Sequence, residues 1–330
     1  MKQWQEFEAR QSNEQASANY LCAADELGLI LVNGADAGNF LQNQLSNDIE
    51  FIDENHYQLS SYSTPKGRLL GIFRIVRISN GYILVTARSM VKPLLERLFK
   101  YIVQSQVTLA DASDYFARIA LQTDNASILE HALLPDSPGM VLQNDSVISL
   151  QLEPLAGQRR FLLMCLSADE AQELWASFAG ELQVAGFCAL RLAEIKAGIP
   201  MIYPQTSEEF VLQMANLGVL DAVSFKKGCY PGQEIVARMQ YLGKLKRRMF
   251  LARLDTDQLP QPGDALVVEG KTEVDGSGVI VDAQFDEQGI CHCLYIAQIA
   301  RAEAGSLRLL TQPTVQPQNL DLPYSINAST

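Results

Sequence analysis

Short segments of alternating or continuous apolar residues dominate the first hundred positions, and this pattern is typical of half-buried strands. We predict strands at Leu27–Val32, Tyr57–Tyr62, Leu69–Ile78 and Tyr82–Thr86. Asn80-Gly81 separates the last two and predicts a hairpin turn. Apolar residues then recur three and four positions apart, which predicts an amphipathic helix over the sheet, with Val91, Leu94, Leu95, Leu98 and Ile102 on its buried face.

A second set of the same kind follows. The pattern predicts strands at Phe116–Leu121, Val147–Leu152 and Phe161–Cys165, and a helix over Ala126–Leu134. Ser167, followed three residues later by Glu170, forms a capping box that opens another helix through Phe178. This alternation of helices and strands predicts a second α+β unit.

The pattern of predicted secondary structure changes after a helix at Ala189–Ala197. Gly198 and Pro200 would end this helix. Short strands separated by Gly, Pro and Asp turns, without helices, predict a small β-barrel, and three prolines mark an extended tail. The strands are Met249–Leu254, Ala265–Val268, Gly278–Val281, Cys291–Ile296 and Ser306–Leu310. We therefore predict a lobe over 1–112, completed by 199–235, a second lobe over 113–198, a barrel over 240–312 and a tail over 313–330.

Composition narrows the class of protein. A chain of 330 residues with 48% hydrophobic and 19% charged residues can bury a large core, which excludes disorder, collagen and coiled coil. Six scattered cysteines lack the spacing of a secreted disulfide framework and are expected to be reduced. With no apolar run near 18 residues and no signal-peptide pattern at the start, we expect a cytoplasmic protein without a membrane partner.

Charge is unevenly distributed along the chain. The net charge of −12 argues against a protein that coats nucleic acid with its whole surface. The segment from Lys226 to Arg248, however, contains seven basic residues and one acidic residue, Glu234, which gives it a net charge of +6. The basic residues are Lys226, Lys227, Arg238, Lys244, Lys246, Arg247 and Arg248. We predict an anion-binding site here on an otherwise acidic protein.

The same segment carries an unusual cysteine loop, Lys226-Lys227-Gly228-Cys229-Tyr230-Pro231-Gly232-Gln233-Glu234. Gly228 and Gly232 permit tight turns, and Pro231 stiffens the loop. A helix continuing over Ile235–Met239 would direct its positive end at the loop, and helix N-termini and lysines favour a thiolate. The alternative is an inert buried cysteine. The flanking Gly, Pro and Lys residues favour an exposed, functional thiol.

Cys291-His292-Cys293 suggests a metal site, but alternate residues of a strand face opposite sides, so the two thiols would share one face without His292. A structural zinc site needs four ligands at suitable spacing, and we favour core packing. The sequence also lacks a Walker A loop, GxGxxG, HExxH and a GxSxG elbow. No metal ligand is assigned.

The fourteen-residue string Phe225–Arg238 resembles the signature of the YgfZ family of folate-binding proteins, relatives of the glycine-cleavage T-protein, an aminomethyltransferase. Further blocks in the same order support the resemblance. They are Asn33–Asp36, Gln42–Asp48, Pro65–Arg68, Lys196–Pro200 and Gln213–Leu217.

The resemblance implies an α+β fold of T-protein type: a three-domain ring with two α+β lobes, a C-terminal β-barrel and a central folate site. Family members are linked to maintenance of iron–sulfur enzymes and, through one of them, to methylthiolation of tRNA. The implied cofactor is tetrahydrofolate or a derivative, with a transient iron–sulfur cluster as a second candidate. The implied partners are folate and iron–sulfur enzymes such as a tRNA methylthiotransferase, and tRNA itself competes for the same positive charge.

The resemblance also assigns roles to residues. Cys229 would be a redox-active or transiently ligating thiolate, Gln233 and Glu234 would hold its loop, and Lys226, Lys227 and Arg238 would supply positive charge. Gly228, Tyr230 and Gly232 complete the loop. The folate-binding candidates are Leu27, Gln44, Asn47, Asp48, Lys66, Leu190, Glu194 and Asn216. Plain turn chemistry at Asn47-Asp48 and at Lys66, and a solvated helix charge at Glu194, are the alternatives.

Two departures from the family pattern bear on function. T-proteins carry a catalytic aspartate where this chain has Leu69-Leu70-Gly71-Ile72-Phe73, and general acid–base catalysis needs such a titratable group. YgfZ proteins often have tryptophans at the positions aligned with Leu27 and Leu190, so stacking area on a pterin is lost. We favour a folate-binding factor over a folate-dependent one-carbon transferase, and over an RNA-binding module that uses Lys244–Arg248.

Overall fold

The computed structural model describes residues 2–8, 19–243 and 245–326. Of the features predicted above, Lys244 and residues 327–330 of the tail lie outside these ranges. No helix among the described residues is long and apolar enough to span a lipid bilayer.

The described residues form eight α-helices: α1 (Lys2–Glu8), α2 (Ala37–Gln44), α3 (Arg88–Leu98), α4 (Ala126–Leu129), α5 (Ala168–Ala179), α6 (Phe187–Lys196), α7 (Gln233–Leu242) and α8 (Ile299–Glu303). Short 3₁₀ turns lie at Ile49–Phe51, Phe99–Tyr101 and Pro204–Thr206.

The strands of the described residues are β1 (Tyr20–Ala23), β2 (Leu27–Asn33), β3 (Gln58–Ser63), β4 (Leu69–Ile78), β5 (Gly81–Ala87), β6 (Thr108–Asp111), β7 (Ala117–Thr123), β8 (Val141–Gln143), β9 (Val147–Leu155), β10 (Gln158–Cys165), β11 (Gln183–Ala185), β12 (Arg247–Leu254), β13 (Ala265–Val268), β14 (Gly278–Phe285), β15 (Cys291–Gln298), β16 (Leu307–Leu309) and β17 (Gln318–Leu320). Every strand that the apolar pattern predicts is present, within a few residues at each end.

The chain divides into two compact units. The first comprises Met1–Leu41, Ile49–Gln58 and Phe73–Ala193, and the second comprises Gln42–Asp48, Leu59–Ile72 and Glu194–Thr330. The lobe, barrel and tail boundaries drawn from the sequence stay predictions.

A six-stranded sheet of the first unit has the order β11-β1-β7-β10-β9-β8. Its pairs are antiparallel except for β1 with β11. Helix α5 begins where predicted, because the Ser167 hydroxyl accepts a hydrogen bond from the Glu170 amide. Trp175 of α5 then packs edge-on against Trp4, with ring centroids 5.8 Å apart, in the buried core under the sheet.

A five-stranded sheet has the order β3-β4-β5-β2-β6. The predicted hairpin joins β4 to β5, where Ile78 pairs with Gly81. Helix α3 lies so close to β2 that a Cβ on Gly28 would stand 2.2 Å from Val91 Cγ2. Glycine at this position therefore sets the separation of helix and strand.

The C-terminal sheet of the second unit is an antiparallel, curled half-barrel in the order β16-β13-β14-β15-β12-β17. Cys291 and Cys293 lie side by side in its apolar core, both fully buried. His292 points the other way, and its Nε2 lies 2.9 Å from Asp286 Oδ2. The alternation expected for a strand thus places both thiols in the core.

Two predictions in these regions are wrong. The helix predicted at Ala126–Leu134 ends at Leu129, because tight turns follow, with the His131 amide bonded to Ile128 O and the Leu134 amide to His131 O. Pro135 disfavours helical geometry at the residue before it. The C-terminal region is also not free of helix: the alanine-rich segment Ile299–Glu303 forms α8, and Gly305 at φ +64° follows it.

Part of the predicted tail completes the second unit. Strand β17 pairs with β12, and Leu251 lies opposite Leu320. Beyond it, the Tyr324 hydroxyl donates to Gly198 O at 2.8 Å and accepts from Asn216 Nδ2 at 3.4 Å. Burial raises the pKa of Tyr324 to about 12, so this hydroxyl stays protonated near neutral pH.

We expect Tyr324→Phe to lower the free energy of unfolding by about 1 kcal/mol, because a buried carbonyl loses its donor. Urea unfolding measures the change. Tyr115→Phe is the matched control, since the Tyr115 side chain is 66% exposed and its hydroxyl reaches water. Equal stability of the two variants would show that the Tyr324 hydroxyl does not hold the tail.

Candidate functional site

The ammonium group of Lys227 is buried beneath the cysteine loop. The residue is only 8% exposed, and its Nζ donates to the carbonyl oxygens of Leu45 at 2.7 Å and Asn47 at 2.8 Å. The ring of Tyr230 lies 5.4 Å from the same nitrogen. A buried charge is costly unless it is solvated by the protein, and these two carbonyl dipoles and the ring face contribute to that solvation. Lys227 therefore ties the loop to Gln42–Asp48.

Asn47 anchors that segment in turn. Its Nδ2 donates to Leu59 O at 2.9 Å and to Asp221 O at 2.7 Å, while its Oδ1 accepts from the Asp48 amide. Asp48 Oδ1 accepts from Gln42 Nε2 at 2.8 Å. Asn47 thus joins three separate stretches of the second unit, more than a local turn requires.

A buried serine network, which was not predicted from the sequence, completes the anchor. Ser46 Oγ donates to Ala222 O at 2.7 Å and accepts from the Ser61 amide at 2.8 Å. Ser60 Oγ accepts from the Asn47 amide at 3.0 Å. A signal was available in Ser60 and Ser61, because consecutive hydroxyls in a predicted strand include one that faces the core and must find a buried partner.

Two glycines bring the far end of the loop against the turn after β3. Gly232 has φ +85°, and a Cβ there would lie 2.7 Å from both Gly67 Cα and Thr64 O. A Cβ on Gly67, at φ +71°, would lie 3.1 Å from Ile235 Cβ. Gln233 then spans the loop, with its Nε2 3.5 Å from Lys227 O and 3.4 Å from Gly228 O. The loop is fixed at both ends.

Cys229 lies at the outer side of this fixed loop. All six cysteines are among the described residues, and Cys229 alone is exposed. Burial raises the pKa of Cys165 and of Cys291 to about 12 and that of Cys293 well above its usual value. Those thiols stay protonated and inaccessible, whereas the sulfur of Cys229 is open to solvent.

The remaining predicted residues differ in their surroundings. Lys66, Lys226, Glu234 and Arg238 are exposed, while Asn216, at φ +58°, donates to Met249 O. Glu194 is only 6% exposed, so the alternative of a solvated helix charge is wrong. Leu27 and Leu190 belong to the first unit and are each 3% exposed. The structure thus joins Lys227 and Gly232 to the blocks around Asn47 and Gly67, and Asn216 to the tail.

Three buried polar atoms near the anchor lack a hydrogen-bond partner among the described residues: Gln44 Oε1, Ser63 Oγ and the Tyr230 hydroxyl. Leu45 pairs with Tyr62 in an isolated antiparallel bridge, and Gln44 and Ser63 are the chain neighbours of these two residues. Burial raises the pKa of Tyr230 to about 12, so its hydroxyl keeps its proton. Within the described part of the chain, no group of three or more His, Cys, Asp or Glu side chains is arranged to hold a metal ion.

Several known proteins that are similar in sequence to this chain share one name. No protein-family model matches this sequence. The chain is similar to proteins named tRNA-modifying protein YgfZ from Colwellia psychrerythraea, 30% identical over 95% of this chain and 96% of the relative, and from Photobacterium profundum, 28% identical over 92% and 91%. The Escherichia coli SE11 protein of that name is 30% identical over 82% of each chain.

Among solved structures, the glycine cleavage system aminomethyltransferase T from Bartonella henselae resembles this one with a TM-score of 0.74. The match covers 94% of this chain and 88% of that chain at 16% identity, so it speaks to the fold alone. The α+β fold of T-protein type that the resemblance implied is confirmed.

We expect Lys227→Met to lower the free energy of unfolding by about 1–3 kcal/mol, because two buried carbonyls lose their donor. The neighbouring Lys226→Met is the matched control and should change stability by less than about 0.5 kcal/mol, since Lys226 is exposed. Urea unfolding of both variants measures the difference. Similar losses in the two variants would contradict the anchoring role of Lys227.

Proposed function

Because the chain belongs to the YgfZ family, we propose that it acts in support of tRNA modification, binding a reduced folate and using the Cys229 thiol in the maintenance of iron–sulfur proteins. The relatives' name supplies the link to tRNA, and the surroundings of Cys229 support a role for its sulfur. Iron–sulfur enzymes, such as a tRNA methylthiotransferase, are then the partners through which the effect on tRNA arises.

The observation that carries this proposal is that the exposed sulfur of Cys229 lies on a loop held in place by the buried Lys227 and by Gly232. A thiolate can attack a disulfide or ligate iron only if its partner can reach it. Lys227 and Gly232 hold the loop at its two ends, so Cys229 presents its sulfur from a defined backbone. Such an arrangement suits transient ligation of a cluster or thiol exchange better than a structural role.

The unsatisfied atoms near the anchor are hydrogen-bonding groups of the kind that a pterin ring needs. A buried polar atom without a partner costs about 1–3 kcal/mol, and a ligand can recover that loss. Gln44 Oε1 can accept an N–H of the pterin, and the hydroxyls of Ser63 and Tyr230 can donate or accept. Tetrahydrofolate would supply ring nitrogens that carry one-carbon units.

The charges that could attract the glutamate tail of folate differ from those expected. The ammonium of Lys227 is engaged with the carbonyls of Leu45 and Asn47 and faces inward. Lys66, Lys226 and Arg238 are the predicted cations that remain exposed, and we assign the carboxylates of the tail to them.

We do not propose aminomethyl transfer as the activity. Strand β4 begins with Leu69-Leu70-Gly71-Ile72-Phe73, all buried, where T-proteins carry a catalytic aspartate. Without a carboxylate on this stretch, proton transfer to or from a one-carbon adduct would need another group. Binding of the folate, rather than its turnover, is the function that these residues favour.

We expect Cys229→Ala to reduce the activity of iron–sulfur enzymes under oxidative stress to the level of a strain without the protein, while the unfolding curve stays unchanged because Cys229 is exposed. Enzyme activity and tRNA methylthiolation in complemented cells measure the effect. Cys188→Ala, at a half-buried thiol, is the matched control and should retain function. Full activity of Cys229→Ala would refute the role of the thiol.

Titration with tetrahydrofolate tests the ligand separately from the thiol. Gln44→Leu should weaken binding about tenfold, because it removes one buried acceptor worth roughly 1.4 kcal/mol. Cys229→Ala should bind as tightly as the unmodified chain. If tetrahydrofolate does not bind, or binds equally well to Gln44→Leu, the folate part of the proposal fails while the thiol result stands.

A further inference from the structure

We infer that Phe225, Lys226, Arg238 and Tyr241, here called the 225–241 surface, form a contact site for a single-stranded segment of RNA. The inference rests on the proposed function, since it names RNA as a direct partner of the segment that carries Cys229. It differs from the RNA-binding module predicted at Lys244–Arg248.

Tyr241 is the first reason. Its side chain is 70% exposed although it lies in the last turn of α7, and its ring contacts the half-buried Phe225 edge-to-face with centroids 6.3 Å apart. Phe225 therefore holds the tyrosine ring at the surface without covering it. A supported aromatic ring with a free face is what an unpaired base stacks on.

The geometry of α7 adds a cation beside this ring. Glu234, Arg238 and Tyr241 are spaced i, i+4 and i+7 and are all exposed, whereas Val236 is fully buried. Arg238 and Tyr241 therefore share the solvent face of the helix. Lys226 directly follows Phe225, so the aromatic pair has a cation next to each of its members.

These two cations are not used by the fold. Neither Lys226 nor Arg238 has an ion-pair or hydrogen-bonding partner for its side chain among the described residues, although the whole chain carries a net charge of −12. Unpaired cations beside an exposed ring on an acidic protein favour an anionic partner that also has flat aromatic groups. A nucleic acid strand has both.

The two arginines further along are less available than Lys226 and Arg238. Arg247 Nη2 donates to Gly276 O, and the Nε of Arg248 is buried without a partner among the described residues. Of the two guanidinium groups in the predicted RNA-binding stretch, that of Arg247 is bonded within the second unit and that of Arg248 is partly buried, so Lys246 is the basic residue that stays exposed among the described residues of this stretch. This shifts the candidate surface from the strand β12 to the helix α7.

A protein partner is the main alternative, and the surface does not favour it. Protein interfaces have an apolar centre depleted of charge. Here the exposed stripe of α7 pairs a single aromatic ring with Glu234 and Arg238 rather than with other apolar side chains. Duplex RNA is also disfavoured, because its bases are stacked on one another and cannot stack on Tyr241.

The test is a fluorescence-anisotropy titration of the full chain with a labelled oligouridylate, repeated over a range of salt concentrations. Tyr241→Ala should weaken binding roughly tenfold and Tyr241→Phe should not, because stacking needs the ring alone. Lys226→Ala and Arg238→Ala should each reduce the slope of log affinity against log salt by about 0.7, the value for one phosphate contact of a single strand.

The surface shares Lys226 and Arg238 with the proposed folate site, so the controls separate its aromatic part from general charge and from the proposed function. Tyr115→Ala and Lys271→Ala, at exposed positions elsewhere, should leave RNA affinity unchanged. Tyr241→Ala should leave tetrahydrofolate affinity unchanged, and Cys229→Ala should leave RNA affinity unchanged. Failure of the thiol or folate predictions therefore does not alter this result.

Three outcomes would overturn the inference. The first is unchanged affinity for the oligouridylate in Tyr241→Ala. The second is a fully paired RNA duplex that binds the unmodified chain as tightly as the oligouridylate does and that Tyr241→Ala no longer binds. The third is a Tyr241→Ala variant that binds RNA normally but no longer binds an iron–sulfur enzyme, which would make the surface a protein interface.

Discussion

The buried ammonium of Lys227 is the interaction on which the rest of the site depends. Its bond to Asn47 O joins residues 180 positions apart in the sequence, and both carbonyls that it contacts belong to a segment that the Asn47 side chain and a serine network also hold. A lysine is rarely buried, because its charge must be solvated by something other than water. Two carbonyls and an aromatic ring contribute to that solvation, and they are in position only if Gln42–Asp48 and the loop are both in place.

This constraint explains how the buried Lys227 and the exposed Cys229 can have different roles although they are only two positions apart. Lys227 points inward and fixes the backbone, and Cys229 then points outward from it. The other thiols of the chain are mostly core residues whose burial keeps them protonated. The reactivity proposed for Cys229 therefore follows from its access to solvent rather than from its being a cysteine.

Local signals were sufficient for much of the fold. The Ser167 cap, the hairpin at Asn80-Gly81 and the alternation that places Cys291 and Cys293 on one face all depend on neighbours in the sequence. The helix predicted over Ala126–Leu134 ends at Leu129, because the apolar spacing did not reveal the turns that follow at His131 and Leu134. The burial of Lys227 and the particular partner of Ser46, Ala222 O, could not be predicted, since these partners lie far away along the chain and lysine is normally exposed.

The contact between Gly67 and Gly232 limits how these two positions can vary. In most packed pairs, a larger side chain on one partner can be accommodated by a smaller one on the other. Here neither residue has a side chain to shorten, and a methyl group on Gly232 would lie within 2.7 Å of the opposing α-carbon. Compensating double substitutions are therefore unavailable, and the pair must be kept or lost as a whole.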